Sequence, residues 1–262
     1  MTTTTGMLQT IDTYWDERSS TYSASVQNEL ACNVHQAWKD IFTEQIPGFG
    51  ERPLRVLDIG CGPGFFSIMC AQAGCLVNAV DYSSEMLLQA QRNAQSDEHT
   101  YARICFQRGD AQNLPFMDES FDVIVTRNVT WNLEDPQHAY HEWHRLLKPG
   151  GRLLNFDANW YLYLSDSARN TRRLYDQRDS AVLHEDATCQ ATEGQCARCE
   201  KIALELPLTQ VERPAWDLRA LKNVHFAQMH ADCTIWQRVW TPGEKAYYAS
   251  SPLFMVVGIK EG

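Results

Sequence analysis

Val56-Leu57-Asp58-Ile59-Gly60-Cys61-Gly62-Pro63-Gly64-Phe65-Phe66-Ser67 is the stretch from which the rest of the chain can be read. A short apolar run contains an acid near its end, three glycines follow at alternate positions, and an apolar, helix-compatible segment begins. This is a strand, a tight turn and a helix start, with no Cβ atoms where the turn meets a ligand. The acid at the strand end favours a ligand with an ammonium group or hydroxyls over a bare phosphate. Dinucleotide-binding folds use a similar turn, with the pattern G-x-G-x-x-G. Counted from Gly60 the third glycine falls on Phe65, and counted from Gly62 it falls on Ser67, so the pyrophosphate reading loses its close-approach glycine.

Outward from that turn, the chain alternates. Leu54–Ile59 reads as the first strand, Phe65–Ala73 as a helix closed by Gly74, and Leu76–Val80 as the second strand, ending at Asp81. Ser83 or Ser84 caps a helix that runs to about Ala94. Ile104–Arg108 and Phe121–Thr126 are further strands, Asp135–Leu147 a helix, and Lys148–Gly151 a turn into a strand over Arg152–Phe156. Strands and helices alternating at this spacing imply right-handed crossovers and an α/β, doubly wound parallel sheet. Ligands of such sheets sit beyond the carboxyl ends of the strands, where Gly60, Asp81, Asp110 and Asn128 all fall.

Before this core, residues 8–45 read as one helical segment with a one-sided apolar stripe through Trp15, Tyr22, Val26, Leu30, Val34, Trp38 and Phe42. After Trp160 the alternation stops. Leu162–Asp186 reads as polar helix, Thr188–Cys199 as a loop and Leu218–Lys222 as a short helix, before strands at Val224–Asp232 and Phe254–Lys260.

With 262 residues, the chain has room for one large α/β domain with an insertion. A net charge of −10, with no basic block, disfavours a nucleic-acid partner, which would need a basic stripe. No apolar run approaches the roughly 20 residues of a membrane span, and Met1–Met7 lacks a secretory signal, so a soluble, cytoplasmic protein is expected. A homodimer is compatible with the sequence. Of nine cysteines, Cys32, Cys61, Cys70, Cys75, Cys105 and Cys233 are scattered and read as reduced thiols.

Five blocks in order resemble the class I S-adenosylmethionine (SAM)-dependent methyltransferases, particularly the small-molecule branch that includes quinone-biosynthesis enzymes. They are Asp58–Gly64, Val80-Asp81, Gly109-Asp110-Ala111 with Leu114-Pro115-Phe116, Ser120–Ile124 and Leu147–Arg152. The resemblance covers residues 50–160 and touches both ends. It implies a Rossmann-like seven-stranded sheet with helices on both faces, and SAM as cofactor with S-adenosylhomocysteine (SAH) as product. It also implies methyl transfer to a small-molecule acceptor. Under it, Asp58, Gly60, Cys61, Gly62 and Gly64 form the turn against the methionine part of SAM, and Asp81 accepts from the ribose hydroxyls. Tyr82 packs on the adenine, Asp110 and Ala111 meet its edge, and Arg127 and Asn128 offer main-chain contacts. Trp15, Arg18 and Tyr22 belong to a leading helix that folds over the cofactor, where basic and aromatic residues reach the SAM carboxylate. Trp131 and Trp160 are candidates to wall the acceptor.

The resulting division is an N-terminal helical cap (1–45), a SAM-binding core (46–160), a mainly helical cap insertion over the cleft (161–222) and final strands (223–262). His138, His141 and His144 share a helix face expected to lie away from the cleft, and no catalytic base is assigned. Cys189, Cys196 and Cys199, with His184, have zinc-ligand types at uneven spacing and are read as reduced thiols in a loop, without metal. Two other readings remain at this stage: a nicotinamide-dependent oxidoreductase, and a protein that holds SAM without turnover.

Overall fold

A computed structural model describes residues 6–32, 34–180 and 191–262. The elements run α1 (Met7–Ala31), α2 (Val34–Gln45), β1 (Arg55–Ile59), α3 (Phe65–Gln72), β2 (Leu76–Asp81), α4 (Ser84–Ala94), α5 (Glu98–Tyr101), β3 (Ile104–Arg108), β4 (Phe121–Arg127), α6 (Pro136–Leu146) and β5 (Leu147–Asp157). They continue with α7 (Ser167–Ser180), α8 (Glu193–Leu204), α9 (Ala215–Asn223), β6 (Gln228–Asp232), α10 (Trp236–Val239), α11 (Pro242–Tyr247) and β7 (Phe254–Ile259).

One seven-stranded sheet has the order β3-β2-β1-β4-β5-β7-β6. The first five strands are parallel, and β7 inserts antiparallel between β5 and β6. Ile59 pairs with Val80 on one side and Thr126 on the other, so β1, β2 and β4 end level with one another. The turns after them therefore open on one edge. Both faces are covered, as the near-continuous apolar strands require. Trp38, Phe42, Phe65, Phe66 and Phe156 pack on one side, and Tyr140, Trp143, Leu221 and Phe226 on the other.

One polar knot is fully buried at the carboxyl end of β5. Arg213 is fully buried and bonds Asp157 at 2.5 Å and Asp217 at 2.6 Å. Tyr140 donates its hydroxyl proton to Asp217 (2.6 Å) and accepts from Asn155 Nδ2 (2.7 Å). Asp157 also accepts from the Trp131 main-chain N–H (3.0 Å) and from Trp160 Nε1 (3.1 Å). The knot ties the chain returning at 213–217 to the ends of the sheet.

Three local readings change. The expected helix over 8–45 is two helices, α1 ending at Ala31 and α2 starting at Val34. Lys148–Gly151, read as a turn, belongs to β5 with a register shift opposite Phe121 and Val123. Residues 193–199, read as loop, open α8, because Thr192 and Gln195 form a reciprocal capping box. Cys196 and Cys199 thus lie on a helix, while His184 and Cys189 lie outside the described residues.

Candidate functional site

Gly60, Gly62 and Gly64 have φ of +63°, +52° and +92°, left-handed values that let the chain turn back on itself after β1. At Gly60 space matters as much as torsion, because a Cβ there would stand 2.3 Å from Val129 Cγ2. The turn is held from beneath, with Cys61 N donating to Val80 O (3.0 Å). Asp58 accepts from Ser67 Oγ at 2.6 Å, joining β1 to α3. Burial raises the Asp58 carboxyl to about 7, against the lowering effects of Ser67 and Arg127.

Asp81, at the end of β2, accepts from Gly62 N (2.8 Å) through Oδ2 and from Ser83 N (2.9 Å) through Oδ1. Burial pushes it up to about 6, against the lowering effect of these two N–H donors. Gly60, Gly62, Asp81, Tyr82, Asp110, Ala111, Arg127 and Asn128 all line one cavity along the sheet edge. Trp15 and Tyr22 close it from α1, together with Leu8 and Ile11, which sequence reasoning did not single out. Asp58, Cys61 and Gly64 do not line it; they build the turn.

Helix α1 lies over this cavity on polar contacts. Asp12 pairs with Arg108 (2.9 Å), and Asp16 accepts from Ser83 Oγ (2.5 Å). Asn93 Nδ2 donates to Ser23 Oγ (3.1 Å), and Arg127 grips Glu29.

A second cavity, of about 290 Å³, shares Tyr22, Arg127 and Asn128 with the first. Its other walls come from α1, α2, Trp160 and the segment 239–253. Trp160, Trp240 and Tyr248 meet there with ring centroids 5.5–6.5 Å apart.

Residues 57–155 match the family model described as a methyltransferase domain. A malonyl-[acyl-carrier protein] O-methyltransferase of Erwinia billingiae is 37% identical over 124 residues, 47% of this chain and 47% of that protein. A demethylmenaquinone methyltransferase of Clavibacter sepedonicus is 34% identical over 145 residues, 55% of this chain and 56% of that one. The chain spans about half the length of the curated relatives it matches.

Over residues 57–155 this chain is similar to a methyltransferase domain.

The fold agrees. Phosphoethanolamine N-methyltransferase 2 of Haemonchus contortus, solved with S-adenosyl-L-methionine, matches with a TM-score of 0.53 at 18% identity, over 91% of this chain and 60% of that one.

The methyltransferase site fits SAM on its own observations. Beyond the glycine cradle, Asp12 Oδ1, Asn128 Oδ1 and Asn132 Oδ1 are buried without a hydrogen-bond partner among the described residues, and all three residues line the first cavity. Buried polar groups are nearly always paired, so orphaned acceptors at a cavity wall suit a ligand rich in N–H and O–H donors. Asn128 is also held at φ +60°, a left-handed conformation that asparagine tolerates better than most residues.

Two expectations are corrected. Trp131, a candidate acceptor wall, is 7% exposed and packs on Tyr161 at 4.8 Å, in a cluster with Ile11, Ile202 and Leu206. It lines neither large cavity; its N–H is spent on Asp157, which turns the ring into the core. The sequence places the insertion 161–222 over the cleft, yet none of its described residues lines either cavity. Helix α8 and the turn after it instead buttress α1 from outside, with Cys199, Ile202 and Leu206 clustered with Ile11 and Tyr14.

The place given to 161–222 is taken by α10, α11 and the turns around them, inserted between β6 and β7. Two signals there were readable: Trp236, Trp240, Tyr247 and Tyr248 in thirteen positions, and a Thr241-Pro-Gly-Glu244 capping box. His138, His141 and His144 on α6 line neither cavity.

Proposed function

We propose that this protein transfers the methyl group of SAM to a small-molecule acceptor held in the second cavity. The observation that carries the reading is the junction: two cavities meet at Tyr22, Arg127 and Asn128, beside the turn of a methyltransferase domain.

In this reading Asp81 accepts from the ribose hydroxyls, and Tyr82, Asp110 and Ala111 bracket the adenine. Gly60, Gly62 and the orphaned Asn128 serve the methionine end, with Trp15 and Tyr22 covering it. Bound SAM supplies an electrophilic methyl on a sulfonium. The chain's own residues orient the acceptor, exclude water through α1, and present aromatic and carbonyl groups to the positive charge. Residues 46–160 act as the binding core, and 1–45 as the cover. The reading includes no nucleic-acid substrate and a cytoplasmic location, supported by the net charge of −10.

Calorimetry with SAM, SAH and NAD tests the first half: SAM and SAH bind and NAD does not. Transfer of labelled methyl from SAM to a panel of small nucleophiles tests the second. Binding of SAH without transfer to any candidate would leave a SAM-holding protein; tight NAD binding alone would overturn the reading.

A further inference from the structure

Arg18 is 5% exposed, on α1, and lines the second cavity but not the first. Its Nε has no hydrogen-bond partner, and the guanidinium forms no ion pair among the described residues. The acids nearest to it along the helix are committed elsewhere. Asp12 pairs with Arg108, Asp16 accepts from Ser83, and Glu17 pairs with Arg198 at 2.7 Å.

The remaining charges of the cavity are also engaged. Arg127 and Glu29 neutralise one another, and Glu244 accepts from the main-chain N–H (2.8 Å) and hydroxyl (2.9 Å) of Thr241 at the start of α11. Arg18 is thus a buried cation with no ion-pair partner among the described residues; the other charge left over in the cavity, the Glu244 carboxylate, is spent on capping α11. A guanidinium withdrawn from water without a partner is costly, and the cost is recovered when an oxyanion enters. Its planar fork matches a carboxylate bidentately. Trp160, Trp240 and Tyr248, which line the same cavity, offer flat apolar area suited to a ring.

We propose that Arg18 receives an oxyanionic group of the acceptor, so that the acceptor is a ring-bearing organic acid. This rests on the reading of the second cavity as the acceptor site. The cofactor also carries a carboxylate, and the two sources are separable because Arg18 faces the cavity that Asp81, Asp110 and the glycine turn do not line.

The test uses the 262-residue protein saturated with SAH and three probes that share one ring: indole-3-acetate, indole and tryptamine. Calorimetry should give indole-3-acetate the tightest binding, by about tenfold, the scale of one charge-assisted pair. Arg18→Met should erase that preference while leaving the SAH dissociation constant within about twofold. It should also raise the melting temperature of ligand-free protein, since an uncompensated buried charge has been removed; a purely structural arginine would lower it.

Equal binding of the three probes, no binding of any, or preference for tryptamine overturns the proposal. So does an Arg18→Met protein that loses SAH affinity about tenfold with its probe series unchanged, which assigns the guanidinium to the cofactor. Failure of wild-type protein to bind SAH at all is a separate outcome: it overturns the methyltransferase reading, and this inference with it.

Discussion

Arg127 holds Glu29 with two parallel hydrogen bonds, NH1 to Oε1 at 2.6 Å and NH2 to Oε2 at 3.0 Å, joining the end of β4 to α1. The guanidinium lies 4.6 Å from the Phe65 ring centroid, and Glu29 also accepts from Trp38 Nε1 at 3.1 Å. Since Arg127 lines both cavities, this pair fixes the wall between them. Glu29→Gln keeps the shape and leaves the guanidinium without its counter-charge. With side chains 15% and 24% exposed, the expected loss of stability is about 1–3 kcal/mol, below that of a fully buried pair. Hydrogen exchange should speed up along α1 while the sheet stays protected. Unchanged exchange in α1 would show that the latch is not what holds the helix.

Asp81 should make SAH binding pH-dependent. Its carboxyl, raised to about 6 by burial, must be ionised to accept from two hydroxyls, so affinity should rise as pH increases through about 6 and level off above 7. Asp81→Asn should flatten the profile, and Asp81→Ala should weaken binding by about 1–3 kcal/mol. Calorimetry between pH 5 and 8 decides it; an Asn variant with the wild-type profile would remove Asp81 from the ribose role.

Asp58 gives the opposite slope in stability. Its folded-state carboxyl titrates near 7 because of burial, against about 3.9 in an unfolded chain. Between these values the folded state holds a proton that the unfolded state has released, so this group's contribution falls as pH rises. Asp58→Asn should therefore compare better with wild type at pH 8 than at pH 5 in thermal melts. A melting difference that does not move with pH would mean that Asp58 titrates near its ordinary value.

Gly60→Ala should fail for a stated steric reason. The new methyl meets Val129 Cγ2 at 2.3 Å on a backbone with φ +63°. Left-handed torsion costs about 1–2 kcal/mol and overpacking about 1–3 kcal/mol. Val129→Ala in the same chain should restore the second term and not the first. Chemical denaturation of the single and double variants separates the two, and no rescue would place the strain elsewhere.

The sheet and its ligand edge were legible because they rest on local chemistry. Glycines at alternate positions, acids at strand ends and apolar runs each impose one conformation, so Gly60, Asp81 and Asp110 read as neighbours before any coordinates. Arg127 and Asn128 were placed by their position after a strand. The second cavity was not legible in this way. Trp131 and Trp160 look alike in the sequence, and both donate an N–H to Asp157. The difference is that Trp131 uses its main chain and buries its ring, whereas Trp160 uses its indole nitrogen and leaves the ring beside Trp240. That difference depends on Arg213, about fifty residues away in sequence, closing on Asp157, which no local pattern announces.

Trp240 and Trp131 therefore make the sharpest paired test of where the acceptor sits. Trp240 belongs to the segment between β6 and β7, half-buried against Trp160 and Tyr248, and lines the second cavity. Trp131 is packed among Ile11, Ile202 and Leu206. Trp131→Ala should cost about 3–5 kcal/mol of stability, as large core truncations do, and should alter kinetics only through the fraction folded. Trp240→Ala should leave the melting temperature and SAH affinity nearly unchanged and raise KM for the acceptor, since it removes ring area from a wall that remains otherwise intact. Calorimetry, thermal melts and steady-state kinetics on both variants give the answer. If Trp240→Ala binds acceptor normally while Trp131→Ala, at temperatures where it is folded, does not, the acceptor site lies on the side of 161–222 and the role assigned to 236–248 is wrong.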